Sequence, residues 1–207
     1  WNNAWEALMD LYIFDFDDTL AITDSQVRVI RNGKDIFMTS REFAKFPYNP
    51  ATDELDFGDF GRAQGTLIKD TVDIMNKLIA QGEDVHIVTA RAIAGPVQDW
   101  LKSEIPTVPP IVPTAGSSGK RPWLLDKLRQ NNYERVVVYE DCTHNIRDLK
   151  EAVEEHNQST GESVLYSAMC ILPNNTIQQV ESRWRPENLL TEWDFREITR
   201  KFLRKTW

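Results

Sequence analysis

The stretch that decides the fold is LYIFDFDDTL, residues 11–20, in which an apolar segment runs directly into three aspartates. Leu11 to Phe14 is fully apolar and too short for a helix, so it predicts a buried central strand. Asp15, Asp17 and Asp18 follow where that strand ends. Clustered carboxylates repel one another, and the repulsion raises their pKa values unless a cation or a reaction partner compensates the charge. The stretch therefore indicates either a metal site or a solvated turn.

Predicted strands and helices alternate along the chain beyond this stretch. Strands are expected at 11–14, 85–88, 111–112, 135–139 and 164–172, and helices at 66–81, 93–101, from 122 onward and at 146–153. Such alternation predicts an α/β fold of repeated βαβ units, with a mainly parallel sheet covered on both faces. In folds of this class the active site lies at the carboxyl ends of the strands, where Asp15, Thr89 and Asp141 are all predicted to stand.

An insert follows the first strand. Within residues 21–65, the segments Val27–Arg31 and Lys34–Met38 flank the turn pair Asn32 and Gly33, which is a strong hairpin signal. We predict that residues 9–172 form a catalytic core, into which 21–65 is inserted as a small cap or flap.

A C-terminal extension, residues 173–207, follows the core. It begins as a polar linker after Pro173, and the apolar spacing over 186–205 predicts one amphipathic helix. Packing of this helix on the body is favoured over docking of a protein partner, and both alternatives stay open. Residues 1–8 are assigned no function.

Composition excludes several classes of protein. The 207 residues, 41% of them hydrophobic, suffice for one substantial core. No apolar run approaches the roughly 20 residues that a membrane span requires, so we expect a cytoplasmic protein with no membrane partner. Cys142 and Cys170 show no metal-binding spacing and are expected to be reduced thiols. The net charge of −8 weakly disfavours long stretches of nucleic acid as partner, and it is compatible with a phosphorylated small molecule or a nucleic-acid end.

The spacing of Asp15 and Asp17 suits phosphoryl transfer. A carboxylate is ionised at neutral pH and needs no base to attack phosphorus, so Asp15 is predicted to form an aspartyl phosphate. Asp17, oriented by Thr19, is predicted to protonate the leaving oxygen and then to activate water. Repulsion between the two anions requires a hard cation, and we predict Mg²⁺ held by Asp15, Asp17 (through a backbone carbonyl) and Asp141.

Donor groups must also surround the non-bridging phosphate oxygens. Thr89 ends a strand and Lys120 begins a helix, and both are predicted to bind the substrate and assist the transfer. Lys127 is the rival of Lys120. Arg91 is predicted either to contact the substrate or to brace an acidic neighbour through a bidentate pair.

Four segments in this order, DFDDTL, VTAR, GKRP and VVVYEDCTHNI, resemble the motifs of the haloacid dehalogenase superfamily of phosphotransferases. The resemblance places that family's motif residues on Asp15, Asp17, Thr89, Lys120 and Asp141. It implies a Rossmann-like three-layer α/β/α sandwich, Mg²⁺ dependence and, most often, phosphomonoester hydrolysis. The second aspartate favours a phosphatase over a dehalogenase.

The sequence departs from the family's pattern at three positions. Asp18 stands where glycine is commoner, and Asn145 stands where many members carry a second aspartate. An indirect metal role is expected for the Asn145 amide, through a water or a hydrogen bond to Asp141. Glu140 stands where many members have glycine, and it either supports the metal ligands or points away from them.

Two other readings stay open. A signalling receiver that accepts phosphate without hydrolysing it also uses aspartates, a threonine and a lysine around Mg²⁺, but its phosphorylated aspartate lies on a middle strand. A phosphate-binding, metal-binding or structural protein that retains the fold is the remaining alternative. Within the first reading, VTAR and the ED pair at 140–141 are loosely similar to the phosphatase part of polynucleotide end-repair enzymes.

Overall fold

The structure is a computed structural model that describes residues 9–43 and 45–183. In this part of the chain it is a mixed α/β fold with a six-stranded, mostly parallel central sheet and five helices. The strands are β1 (Met9–Phe14), β2 (Ala21–Thr23), β3 (Val27–Arg31), β4 (Lys34–Met38), β5 (Asp53–Asp56), β6 (Gly65–Leu67), β7 (Asp84–Thr89), β8 (Ile111–Pro113), β9 (Tyr133–Glu140), β10 (Leu165–Ile171) and β11 (Ile177–Arg183). The helices are α1 (Ser40–Phe43), α2 (Lys69–Ala80), α3 (Gly95–Glu104), α4 (Lys120–Gln130) and α5 (Thr143–Thr160).

The central sheet has the strand order β11-β10-β9-β1-β7-β8. β1 pairs in parallel with β9 on one side and with β7 on the other, and β8 and β10 continue the parallel arrangement outward. The predicted alternation of strands and helices is therefore confirmed. Because parallel strands point the same way, the residues that follow β1, β7 and β9 meet at one edge of the sheet, which is called the carboxyl edge below.

The core consists of two clusters that share the strands of the sheet. Tyr12 and Phe14 pack in one cluster with buried residues of α2 and α3. Leu11 and Ile13 pack in the other with buried residues of α4 and α5. Successive residues of a strand point to opposite faces, which explains why neighbours in β1 belong to different clusters.

The predicted hairpin of the insert is confirmed. β3 and β4 pair antiparallel from Val27↔Met38 to Arg31↔Lys34. Asn32 and Gly33 form the connection, both with positive φ, as a tight hairpin turn requires. β5 adds a third strand beside β3, and this small sheet has its own apolar cluster around Val29.

The base of the insert is a two-stranded ladder between β2 and β6. Gly65 has a φ of +155°, and a Cβ at this position would lie 2.1 Å from the Ile22 carbonyl oxygen. The close approach of the two chain segments therefore requires glycine. Thr66 and Leu67, which the apolar spacing assigned to a helix, belong to this ladder, and α2 begins at Lys69.

The segment after Pro173 differs most from its prediction. It was expected to be a polar linker, but Ile177–Arg183 forms β11, which pairs antiparallel with β10 and completes the sheet. The predicted amphipathic helix at 186–205 and residues 1–8 lie outside the described residues. In the described part of the chain, the helices are all too short or too polar to cross a bilayer.

Candidate active site

The aspartates of the DFDDTL segment lie at the carboxyl edge of the sheet. The Asp15 backbone N–H donates to the Tyr139 carbonyl at 2.9 Å, which extends the β1–β9 pairing by one residue. Asp15 is buried, with 7% of its surface exposed. The end of β9 therefore fixes the direction in which the Asp15 carboxylate points.

Three carboxylates meet at this edge. Oxygen atoms of Asp15, Glu140 and Asp141 all lie within 4.8 Å of one another, a spacing at which a single metal ion could contact them. Carboxylate oxygens are the donors that Mg²⁺ prefers, and Mg²⁺ usually takes one or two carboxylates together with water and substrate oxygens. The donor set thus fits the predicted ion. Glu140, whose direction the sequence left open, points into the group.

Lys120 is buried among these acids. Its Nζ donates to Asp15 Oδ1 at 2.6 Å and to Glu140 Oε2 at 2.7 Å, and the residue is 2% exposed. Lys127, the rival lysine, instead contacts Asp84 at 3.2 Å. Since Asp84 is the first residue of β7, that contact lies at the opposite end of the strand. The geometry therefore favours Lys120 as the lysine of the site.

The carboxylates of Asp15, Glu140 and Asp141 repel one another, and Lys120 offsets this repulsion only in part. Burial, followed by the charges of Glu140 and Asp141, raises the pKa of Asp15 well above its usual range, although Lys120 opposes this. Burial, Glu140 and Asp18 raise the pKa of Asp141 to about 7. Burial disfavours the charged Lys120 ammonium, but its two carboxylate partners outweigh that effect and raise its pKa. The group therefore carries more negative charge than the protein compensates.

Asp17 lies outside this group and has its own cation. Arg91 holds its carboxylate through a bidentate pair, from Nε to Oδ2 at 2.9 Å and from Nη2 to Oδ1 at 2.7 Å. The Thr23 hydroxyl donates to Asp17 Oδ1 at 2.6 Å. The Asp17 carboxylate is not part of the cluster formed by Asp15, Glu140 and Asp141, so the metal role predicted for Asp17 is restricted to its backbone carbonyl.

Arg91 uses all of its guanidinium donors within the protein. Besides the pair with Asp17, Nη1 donates to the Phe60 and Arg62 carbonyls at 3.2 and 2.7 Å, and Nη2 donates to the Ser25 hydroxyl at 3.1 Å. The side chain is 1% exposed. The structure agrees with the second of the two roles expected for Arg91, in which it braces an acidic neighbour. The substrate-binding role would require Arg91 to give up contacts that hold the insert.

Thr89 and Thr19, the two threonines predicted to act in the site, have different hydrogen-bond surroundings. Thr89 ends β7, and its buried hydroxyl accepts the Arg91 backbone N–H at 3.3 Å, so its own hydrogen can still be donated. Thr19 was expected to orient Asp17. Its Oγ1 is buried and has no hydrogen-bond partner among the residues that the structure describes. Thr23, the last residue of β2, contacts Asp17 instead.

Thr23 and Arg41 were not identified from the sequence, and the direction of Glu140 was left open. Thr23 contacts Asp17, and Glu140 binds Lys120 while it also accepts from the Asn145 amide at 3.1 Å. Asn145 therefore supports an acid of the group, but that acid is Glu140 and not Asp141, the partner that the sequence suggested. Arg41, from α1 in the insert, lies 3.8 Å from Asp141. A glutamate beside an aspartate was the available signal for Glu140, whereas nothing local in the sequence pointed to Arg41.

The comparisons with known proteins do not extend this picture. No protein-family model matches the chain, and comparisons with curated proteins and with solved structures found no match either. The functional argument therefore depends on the geometry of the site.

Proposed function

We propose that the protein is a Mg²⁺-dependent phosphomonoester hydrolase that works through an aspartyl phosphate on Asp15. The observation that carries this proposal is the position of the Asp15 carboxylate, which touches the Lys120 ammonium and shares a 4.8 Å cluster with Glu140 and Asp141. A nucleophile for phosphorus, a fixed cation and a divalent-ion donor set thus coincide at one point. When bound, Mg²⁺ supplies positive charge that offsets the repulsion between carboxylate and phosphate.

Each step of the proposed reaction is assigned to particular residues of the chain. An Asp15 oxygen forms a bond to phosphorus while the ester O–P bond breaks, and Asp17 gives a proton to the leaving oxygen. Water then attacks the phosphorus, its proton passes to Asp17, and the bond from Asp15 to phosphorus breaks. Lys120 and Thr89 donate to the non-bridging oxygens. For its part, Asp17 has to turn from Arg91 towards the substrate.

The finer features of the fold and the setting belong to the same proposal. We infer a Rossmann-like three-layer arrangement of the haloacid dehalogenase type, supported by the division of the β1 side chains between two helix-containing clusters. The insert, with its own small sheet, acts as a flap, and the substrate is a phosphorylated small molecule or a nucleic-acid end. The two free cysteines support a reducing compartment, the cytoplasm.

Hydrolysis of a generic aryl phosphate, with and without Mg²⁺, tests the proposal. Turnover is expected to require the ion, to disappear in Asp15→Asn and to fall severely in Asp17→Asn. Asp99→Asn, an exposed change of the same type on α3, is the matched control and should leave the rate unaltered. Metal-independent turnover, or full activity in Asp15→Asn, would refute the mechanism.

A second candidate is a module that binds Mg²⁺ and phosphate without turnover. The observation in its favour is the bidentate pair with Arg91, which keeps the Asp17 carboxylate away from the Asp15 group. Calorimetric binding of Mg²⁺ and inorganic phosphate, combined with no hydrolysis across a panel of phosphomonoesters, would favour this candidate.

A further inference from the structure

The arginines of the insert fall into two kinds. Three of them make hydrogen-bonded pairs with aspartates of the insert itself: Arg28 with Asp35 at 3.0 Å, Arg31 with Asp53 at 2.6 Å and Arg62 with Asp59 at 2.8 Å. These pairs hold the insert's own strands and loops together. Arg41 differs, because its acidic neighbours belong to the core.

Arg41 reaches from α1 towards the carboxyl edge. Its Nη2 lies 3.6 Å from Asp18 Oδ1 and its Nε lies 3.8 Å from Asp141 Oδ2. Both distances exceed those of an N–H···O hydrogen bond, so the guanidinium is attracted to the two acids without being fixed by either. A quarter of the side chain is exposed. The arginine is thus held near the candidate metal site but remains free to form a better contact.

Asp18, one of the two acids near Arg41, has a strained backbone conformation. Its φ is +60°, a left-handed conformation in which glycine would cost less. Its backbone N–H donates to the Ala21 carbonyl at 2.7 Å, which fixes the turn and keeps the carboxylate facing Arg41. A strained residue that bears a charge directed at the site indicates a role for that charge.

A divalent ion on Asp141 would weaken the attraction between Asp141 and Arg41. The guanidinium, still near Asp18, would then be available to a phosphoryl group bound beside Asp15, whose carboxylate lies within 4.8 Å of that of Asp141. A planar fork of N–H donors matches phosphate oxygens well. On the basis of the proposed function, we propose that Arg41 is a substrate-binding residue that the insert supplies to the phosphoryl group, and that Asp18 is the positioning residue that keeps it there.

Binding of inorganic phosphate in the presence of Mg²⁺, measured by titration calorimetry on the full chain, tests this inference. Arg41→Gln is expected to weaken phosphate binding by about ten- to a hundredfold, as expected for a charge-assisted contact. Mg²⁺ binding without phosphate should become a few times tighter, because the competing cation near Asp141 is gone. Arg41→Lys should recover part of the phosphate affinity. Arg28→Gln, which removes the same charge elsewhere in the insert, is the matched control and should change neither.

Steady-state kinetics separate this inference from the function on which it depends. Arg41→Gln is expected to raise KM for an aryl phosphate more than it lowers kcat, and Asp18→Asn should do the same to a smaller extent. If the wild-type protein hydrolyses the ester and Arg41→Gln has unchanged KM and phosphate affinity, the inference is wrong and the proposed function stands. If the wild-type protein neither binds phosphate nor hydrolyses esters, both are wrong.

Discussion

Asp15 and Asp17 are two residues apart, and each meets a buried cation, but the two pairs are balanced differently. Arg91 and Asp17 compensate each other one to one, and every guanidinium donor has an acceptor in the protein. Lys120 meets Asp15 and Glu140, with Asp141 close by, so one ammonium faces three carboxylates. In their ionised forms these groups sum to a charge of −2, which is equal and opposite to the charge of the Mg²⁺ ion that the site is proposed to bind.

The difference separates a structural pair from a binding site. An ion pair whose charges already cancel gains no stability from a further ion. In a group with excess negative charge, desolvation and repulsion raise the free energy of the folded state, and a divalent cation relieves that repulsion. Mg²⁺ is therefore expected to stabilise the Lys120 group and to have no effect on the Arg91 group. The predictions below test this contrast.

Removing Lys120 should have the largest effect. Lys120→Met leaves two buried carboxylates without their shared partner, and breaking a buried pair in this way typically costs about 3–5 kcal/mol of unfolding free energy. Mg²⁺ should restore part of the loss, because it supplies positive charge at the same place. Urea unfolding with and without the ion measures both quantities.

Lys127→Met is the control for this change. It removes a lysine from the same helix, but its pair with Asp84 is partly exposed, so the expected loss is below about 1 kcal/mol and independent of Mg²⁺. Equal losses in the two variants would contradict the special position of Lys120.

Removing Arg91 should cost somewhat less and respond differently to the ion. Arg91→Met leaves Asp17 and two carbonyl groups of the insert without their donor, but Asp17 is 14% exposed and keeps Thr23, so we expect a loss of about 3 kcal/mol. Mg²⁺ should not restore it. Urea unfolding is again the measurement, and Arg121→Met, which removes surface pairs, is the control. A recovery with Mg²⁺ as large as that of Lys120→Met would remove the distinction between the two pairs.

The sequence predicted the parts of this arrangement that local pattern determines. The apolar run 11–14, the Asn32-Gly33 turn and the acids at the end of β9 each carry their signal within a few residues. The sequence therefore predicted β1, the hairpin and the position of Asp141 directly after β9. β11 was missed because its segment, Ile177–Arg183, is largely polar and resembles a linker. It becomes a strand by pairing with β10 at the edge of the sheet, and such pairing overrides weak local preference.

The contacts that were missed join distant parts of the chain. Arg41 and Asp141 are a hundred residues apart, and Arg91 holds carbonyl groups of the insert some thirty residues before it. No periodicity or spacing encodes such pairs. Thr19 shows a different limit of sequence analysis. It is close to Asp17 in sequence, but the hydroxyl that contacts the Asp17 carboxylate belongs to Thr23. The position of Thr23 depends on how the chain turns after Asp18, which the local sequence does not encode.

The overcharged group should also make stability depend on pH. Because burial and the charge of Glu140 raise the pKa of Asp141 from the usual 3.8 to about 7, the folded chain keeps a proton that the unfolded chain loses. The contribution of Asp141 is complete below about pH 4 and is lost as pH rises to about 7, on the order of 2 kcal/mol after allowance for relaxation around the charged group. Mg²⁺ should abolish this slope, because it favours the ionised carboxylate.

Urea unfolding between pH 4.5 and 8 measures the effect, and Asp141→Asn isolates it from other titrating groups. Without the ion, the unfolding free energy of the wild type minus that of this variant should fall as pH rises across the window, and with Mg²⁺ it should not fall. A difference that stays constant with pH would show that Asp141 has an ordinary pKa, and the contrast with the balanced Arg91 pair would lose its electrostatic basis.

The smallest effect concerns Asp18, which belongs to neither pair and lies 3.6 Å from Arg41. Asp18→Gly relieves the left-handed backbone strain and removes only a loose contact with Arg41, so unfolding free energy should rise by about 0.5–1 kcal/mol. Asp18→Asn keeps a side chain that tolerates this conformation and should lie between glycine and the wild type. A gain in stability accompanied by weaker phosphate binding would mean that the chain accepts strain here in order to position Arg41. A loss of stability in Asp18→Gly would instead assign Asp18 to the structural contacts, together with Asp17 and Arg91.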